Sequence, residues 1–103
     1  MLKIQNLIDG KLIAPVSGKY LDNYNPAEGK VYSLTPDSDQ QDVDGAVKAA
    51  QKAFPEWAAT SADNRSAVLS RIADLVDRDF ENLAMAESVD QGKPVKLARS
   101  MDI

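Results

Sequence analysis

The chain has 103 residues, 44% hydrophobic and 27% charged, the range of an ordinary soluble domain and not of a disordered or fibrous chain. Its formal charge of -4 comes from 12 basic and 16 acidic residues interleaved along the sequence, which excludes the basic footprint of a nucleic-acid or anionic-membrane binder. The absence of cysteine and histidine excludes disulfides, the usual zinc sites, thiolate nucleophiles and imidazole acid-base chemistry, leaving Ser, Thr, Lys and carboxylates for catalysis and oxygen donors for metals.

The sequence changes character once. Residues 1–38 alternate and turn, and residues 39–103 read with helical period. Leu7-Ile8 and Leu12-Ile13 flank Asp9-Gly10, a dipeptide that supplies the positive φ of a two-residue turn, so residues 6–13 are expected to form a first hairpin. After Pro15, Ser17 and Gly18, the β-prone runs 20–24 and 30–34 flank Asn25-Pro26-Ala27-Glu28-Gly29 and predict a second hairpin. Pro26 cannot donate to a ladder and biases Asn25 toward extended geometry, so the strand should end or bulge there. Thr35-Pro36-Asp37-Ser38 is expected to break the strand pattern.

Ser38 and Gln41 have the spacing of a capping box, and Asp39, Asp42 and Asp44 suit the positive end of a helix dipole. Val43, Val47, Ala50, Phe54 and Trp57 then make one apolar stripe, with Pro55 expected to end or kink the helix near Phe54. Ser61 is the expected N-cap of a second helix, with Val68, Leu69, Ile72, Leu75 and Val76 on its apolar side and a break near Arg78-Asp79. Gly92 followed by Pro94 is a helix stop, and Pro94 can open a third helix carrying Val95, Leu97, Ala98 and Met101. That last helix, about ten residues without a stop signal, is marginal alone. The chain is therefore expected to continue past Ile103, as one incomplete unit spanning residues 1–103.

Several groups invite a chemical reading. Glu87 and Asp90, three apart, could face each other as an acid-base pair, but nothing around them predicts a raised carboxyl pKa and Lys93 lies near enough to neutralise charge, so a solvated face is the simpler reading. Lys93, Lys96 and Arg99 could line a phosphate, yet the acidic total and the lack of interleaved aromatics point to a wet helix surface. No two of the five glycines form the close array that wraps a pyrophosphate, so no dinucleotide site is encoded. Trp57, on the stripe with Phe54, reads as core or domain interface before ligand stacking. No apolar run approaches the roughly 20 residues of a membrane span, and the first residues lack a secretory signal, so the expected location is the cytoplasm.

In order and register, Leu7-Ile8-Asp9-Gly10-Lys11, Asn25-Pro26-Ala27 with Gly29, Asp42-Val43-Asp44, Ala46-Val47, Ala49-Ala50, Ala53-Phe54 and Trp57 resemble the start of the aldehyde dehydrogenase superfamily. Arg65, Leu69, Ala73-Asp74-Leu75, Leu83-Ala84, Glu87, Asp90 and Gly92-Lys93-Pro94 carry the resemblance onward, and residues 86–103 look most like its muconic semialdehyde branch. The resemblance implies an α/β enzyme in which this segment is α+β, two hairpins (residues 1–38) followed by two or three amphipathic helices (residues 39–103), as part of the cofactor-binding domain. It implies oxidation of an aldehyde to its acid with NAD or NADP through a cysteine thiolate, and a homo-oligomer. The family's catalytic cysteine, assisting glutamate, oxyanion-binding asparagine and most dinucleotide contacts come much later in a chain several times longer. Within these residues it therefore implies no catalytic and no cofactor-binding position.

Some members of the family bind a structural monovalent cation, Na+ or K+, and the matching positions here are the backbone carbonyls of Asn23 and Tyr24 and the carboxylate of Asp102. The apolar stripes are then expected to face the remainder of the dehydrogenase chain. A rival reading is a free-standing hairpin-and-helix module, derived from the same family, that presents Val43, Val47, Phe54 and Trp57 to a partner or to itself.

Overall fold

The structure, a computed structural model, describes residues 1–103. Five strands precede the helices: β1 (Leu2–Lys3), β2 (Asn6–Ile8), β3 (Lys11–Ile13), β4 (Tyr20–Asn25) and β5 (Lys30–Pro36). The helices are α1 (Gln40–Ala59), α2 (Ala62–Arg78), α3 (Phe80–Gln91) and α4 (Val95–Leu97), the last running directly into a π-helical turn, Ala98–Asp102. The α+β order expected for this segment is the one observed. Its contacts divide the residues into two compact units. The first holds residues 1–24 and 31–59, and the second holds 25–30 and 60–103.

In the first unit the Asp9-Gly10 turn closes as expected. Both residues have positive φ, 52° and 71°, and β2 pairs antiparallel with β3 in the register Asn6 to Ile13 and Ile8 to Lys11. The larger sheet has the order β1-β5-β4, which puts β5 at its centre. The sequence reading missed β1. It pairs parallel with β5, Leu2 opposite Ser33 and Lys3 opposite Leu34, and only this distant partner makes two residues a strand. The strand pattern also runs further than expected, because β5 ends on Pro36 and the break falls at Asp37, whose amide donates to the Lys19 carbonyl. A proline at the last position of a strand forfeits no inner ladder bond.

The cap of α1 lies one residue later than the Ser38–Gln41 reading placed it. Asp39 Oδ1 accepts from the Gln41 amide at 2.9 Å, and Asp42 Oδ2 accepts from the Asp39 amide at 3.0 Å, a reciprocal box built from two aspartates. Ser38 instead exchanges hydrogen bonds with the Asn6 side chain. Asp42 reaches outside the helix as well, since its Oδ1 accepts from the Val16 amide at 3.0 Å, and the residue is only 4% exposed. Pro55 does not end α1, which continues to Ala59. Proline removes one backbone donor, here the partner of the Gln51 carbonyl. That carbonyl lies at an exposed residue where water can take its place.

The second unit contains the turn between β4 and β5, where the Asn25 carbonyl accepts from the Gly29 amide at 2.8 Å and Asn25 Oδ1 from the Ala27 amide at 3.0 Å. Ser61 caps α2 as expected, accepting from the Asn64 amide at 3.1 Å. Arg65 folds back onto the Thr60 carbonyl. Asp79 separates α2 from α3, and Gly92 ends α3 in the left-handed region at φ 72°. Pro94 flanks α4 and does not sit at its first position, and the expected ten-residue helix is three α-helical residues followed by the π-turn. The small residues Ala84 and Ala98 are fully buried where α3 meets that turn.

Much of the apolar surface stays in water. Phe54 and Leu69 are each 65% exposed, and Val43, Val47, Trp57, Val68 and Ile72 are exposed too. The stripes predicted for α1 and α2 are present in the sequence, but little within these residues covers them.

Candidate functional site

The three positions that resemblance assigns to a monovalent cation fall in different units. Asn23 and Tyr24 belong to β4 in the first, and Asp102 closes the π-turn in the second. The Asn23 side chain is committed to its neighbour strand, where Nδ2 donates to the Tyr32 hydroxyl at 3.1 Å and to the buried Ser33 Oγ at 3.0 Å. These bonds fix the rotamer of the Asn23 side chain. Tyr24 is exposed.

Asp102 already has a cation. Its Oδ2 accepts from Lys93 Nζ at 2.8 Å, and the same ammonium lies 2.9 Å from Glu87 Oε1, so Lys93 bridges α3 to the π-turn. The hydrogen bonds it donates to Asp102 and then to Glu87 hold the Lys93 ammonium above its ordinary pKa. The bridge follows from backbone geometry. The left-handed cap at Gly92 reverses the chain, Ser88 Oγ donates to the Lys93 carbonyl at 2.6 Å, and the Pro94 carbonyl accepts from the Leu97 and Ala98 amides. These bonds aim Lys93 back along α3.

No group of three or more acidic residues is gathered to hold a metal ion.

The other candidates are resolved by their partners. Glu87 turns to Lys93, while Asp90 accepts from the Gln91 side chain at 3.3 Å. Of the basic stripe, Lys93 is taken by carboxylates and Arg99 forms a two-pronged pair with Glu81, with nitrogen-oxygen distances of 2.8–3.1 Å. Trp57 is 45% exposed and so not core within these residues. No helix is long and apolar enough to cross a membrane.

Two adjoining recesses lie between the first hairpin and α1. The larger, about 370 Å³, is floored by Ala46, Ala49, Ala50 and Ala53 and walled by Leu7, Ile8, Asp9 and Gly10. The smaller, about 200 Å³, reaches to Asn6, Ser38 and Asp42. Neither holds a nucleophile paired with a base. Sequence reasoning missed the second role of Asp42, the Arg99–Glu81 pair and the reach of Lys93 to Asp102. Only the acidic and basic residue types gave any signal of them.

Comparison with known proteins follows the same line. The aldehyde dehydrogenase family pattern matches residues 13–103. The 2-aminomuconic semialdehyde dehydrogenase of Homo sapiens is 48% identical over 103 residues, all of this chain and 21% of that protein. Among solved structures, PnpE from Pseudomonas sp. WBC-3 superposes with a TM-score of 0.95 at 34% identity, covering 99% of this chain and 21% of that one. The NAD+ complex of an aldehyde dehydrogenase from Bacillus cereus gives 0.93 at 34% identity, covering 97% and 21%. The chain thus spans about a fifth of the length of the relatives it matches.

Proposed function

The chain belongs to the aldehyde dehydrogenase family, and we propose from that premise that it is the N-terminal part of an NAD(P)-dependent enzyme oxidising an aldehyde of the muconic semialdehyde class to its carboxylic acid. The identity of 48% across all 103 residues to a 2-aminomuconic semialdehyde dehydrogenase carries this reading. The overall reaction takes aldehyde, water and oxidised nicotinamide cofactor to acid, reduced cofactor and a proton. These residues serve as scaffold. They hold no cysteine, so the thiolate this chemistry needs is supplied from elsewhere.

The same reading makes the rest of the dehydrogenase chain the partner of the exposed apolar stripes, in a cytoplasmic homo-oligomer. The exposure of Phe54, Leu69 and Ile72 supports such a covering. It also makes the carbonyls of Asn23 and Tyr24 and the carboxylate of Asp102 donors to a structural Na+ or K+. Their oxygen chemistry supports that assignment.

Two preparations test the proposal. The full-length gene product, given NAD or NADP and a muconic semialdehyde, should form reduced cofactor faster than with a simple aliphatic aldehyde, and residues 1–103 alone should form none. A full-length protein that oxidises no aldehyde with either cofactor, or turnover intrinsic to the 103 residues, overturns it.

A further inference from the structure

Asp9-Gly10 and Asp44-Gly45 are the chain's two Asp-Gly steps, and in such a step a main-chain amide attacks the preceding side chain most readily, because glycine puts no Cβ beside the nucleophile. All four residues are exposed, so contact with water does not separate the two steps. The backbone does. Asp44 and Gly45 lie inside α1, where the Gly45 amide donates to the Gln41 carbonyl and Asp44 Oδ1 accepts from Gln40 Nε2 at 2.8 Å. Asp9 and Gly10 are the turn of the β2–β3 hairpin, and neither the Asp9 carboxylate nor the Gly10 amide has a hydrogen-bond partner within these residues. Asp9 is also the one non-glycine residue with positive φ, 52°, a region disfavoured for an L residue. Rotating this peptide out of the turn therefore relieves strain, whereas rotation at Gly45 must break helix bonds. Nothing stands within 4 Å of where a Cβ on Gly10 would lie, which leaves room for a ring to close there.

We propose that Asp9 is a spontaneous modification site, at which the folded protein converts aspartate to isoaspartate, while α1 protects Asp44. The Gly10 nitrogen attacks Asp9 Cγ and gives up its proton. A carboxylate oxygen takes that proton and one from solvent and leaves as water, and the product is a cyclic succinimide without the Asp9 charge. A second water then opens the ring. Addition at Cγ restores aspartate. Addition at the Asp9 main-chain carbonyl breaks its bond to the Gly10 nitrogen and returns a proton to solvent, so the chain now runs through Cβ and Cγ and the former main-chain carbon carries the carboxylate. No oxidant or cofactor is consumed.

Isoaspartate adds one carbon to the main chain of a turn that sets Asn6 opposite Ile13, Leu7 opposite Leu12 and Ile8 opposite Lys11. With three residues in each strand, the hairpin has little else to hold that register. Asp9 and Gly10 also wall the recess floored by Ala46, Ala49, Ala50 and Ala53, so the change loosens the hairpin from α1.

The test ages the full-length protein at neutral pH and physiological temperature, both folded and in urea, and maps its peptides. An endoproteinase that cuts before aspartate but not before isoaspartate scores each site, and mass spectrometry detects the succinimide by the loss of one water. In the folded protein isoaspartate at Asp9 should exceed that at Asp44 by roughly tenfold or more, because α1 must first open at Gly45. In urea the two steps lose their structure and should react within about threefold of each other. Asp9→Glu, whose longer side chain closes only a larger and less favourable ring, should remove the product at residue 9. Hydrogen exchange over residues 6–13 should be faster in the isomerised fraction.

An Asp9 that stays intact in the folded protein while the chain in urea isomerises, or equal reaction at Asp9 and Asp44 in the folded protein, overturns the proposal. So does a preference for Asp9 that persists unchanged in urea, since neighbouring sequence and not the fold would then set it. Unchanged exchange in the isomerised fraction overturns the loosening of the hairpin.

Discussion

Pro26 and Gly92 meet where the turn between β4 and β5 lies against the end of α3, so closely that a Cβ on Gly92 would stand 2.8 Å from Pro26 Cγ and 3.4 Å from its Cβ. Gly92 also has φ 72°, so a side chain there suffers backbone strain as well as a clash. Gly92→Ala is expected to destabilise by about 2–5 kcal/mol, from roughly 1–2 of left-handed strain and roughly 1–3 of overpacking. Gly10, at φ 71° with nothing within 4 Å, is the control, and Gly10→Ala should cost only the strain. Thermal melts of the single variants and of Gly92→Ala with Pro26→Ala check this. The double variant should recover at least about 1 kcal/mol, and strict additivity would show that the ring contact contributes nothing.

Asp42 ties the start of α1 to the loop before β4 by accepting from both Asp39 and Val16 amides at 3.0 Å. Asp42→Ala leaves two donors without their acceptor at a residue 4% exposed, which should cost about 2–4 kcal/mol. Asp42→Asn keeps one amide oxygen and should cost about half as much. Ser38→Ala, which removes only exposed hydrogen bonds to Asn6, should stay within about 1 kcal/mol of wild type. Chemical denaturation ranks the three. Should Ser38→Ala prove the most damaging, the cap belongs to Ser38 after all.

The ion pairs of Lys93 make stability depend on alkaline pH. Its partners raise the ammonium above the ordinary value of 10.5, so the folded protein keeps this proton where the unfolded chain loses it. The contribution is complete below about 10.5 and is lost as pH rises through the folded value. Wild type should therefore lose stability faster than Lys93→Met above that pH. Asp79 works in the opposite range. The Arg78 hydrogen bond lowers its pKa below the ordinary 3.8, so its contribution is present above that value and fades as pH falls through the lower, folded value. Denaturant midpoints across pH, for wild type, Lys93→Met and Asp79→Asn, should separate the alkaline and acidic limbs.

What the sequence made legible was local. Asp9-Gly10, Ser61 and Gly92 each act within a few residues of themselves, through backbone conformation or one short hydrogen bond, and each is where its residue type predicts. The misses depend on distant partners. Leu2–Lys3 is a strand only because β5 lies beside it, and Ser38 yields its capping place because Asn6 occupies its hydroxyl. Pro55 does not end α1, because one lost hydrogen bond is outweighed by those the rest of the helix keeps. Of the cation positions, Asn23, Tyr24 and Asp102 came from resemblance alone. That Asp102 already holds an ammonium required the fold of residues 87–102.

Phe54 and Leu69, each 65% exposed, separate the scaffold reading from a free-standing module. In residues 1–103 alone, Phe54→Ser or Leu69→Ser removes a side chain already mostly in water, so stability should change by no more than about 0.5–1 kcal/mol while self-association falls. In the full-length protein the same side chains should be covered. Each substitution should then cost about 2–4 kcal/mol, as large-to-small changes do in a packed core. Light scattering over a dilution series reads the first effect, and melting of the full-length variants reads the second. Equal, small effects in both settings would mean that water stays on each of these side chains in the longer protein. Each stripe would then be a surface for another molecule, and the scaffold assignment of α1 and α2 would fall.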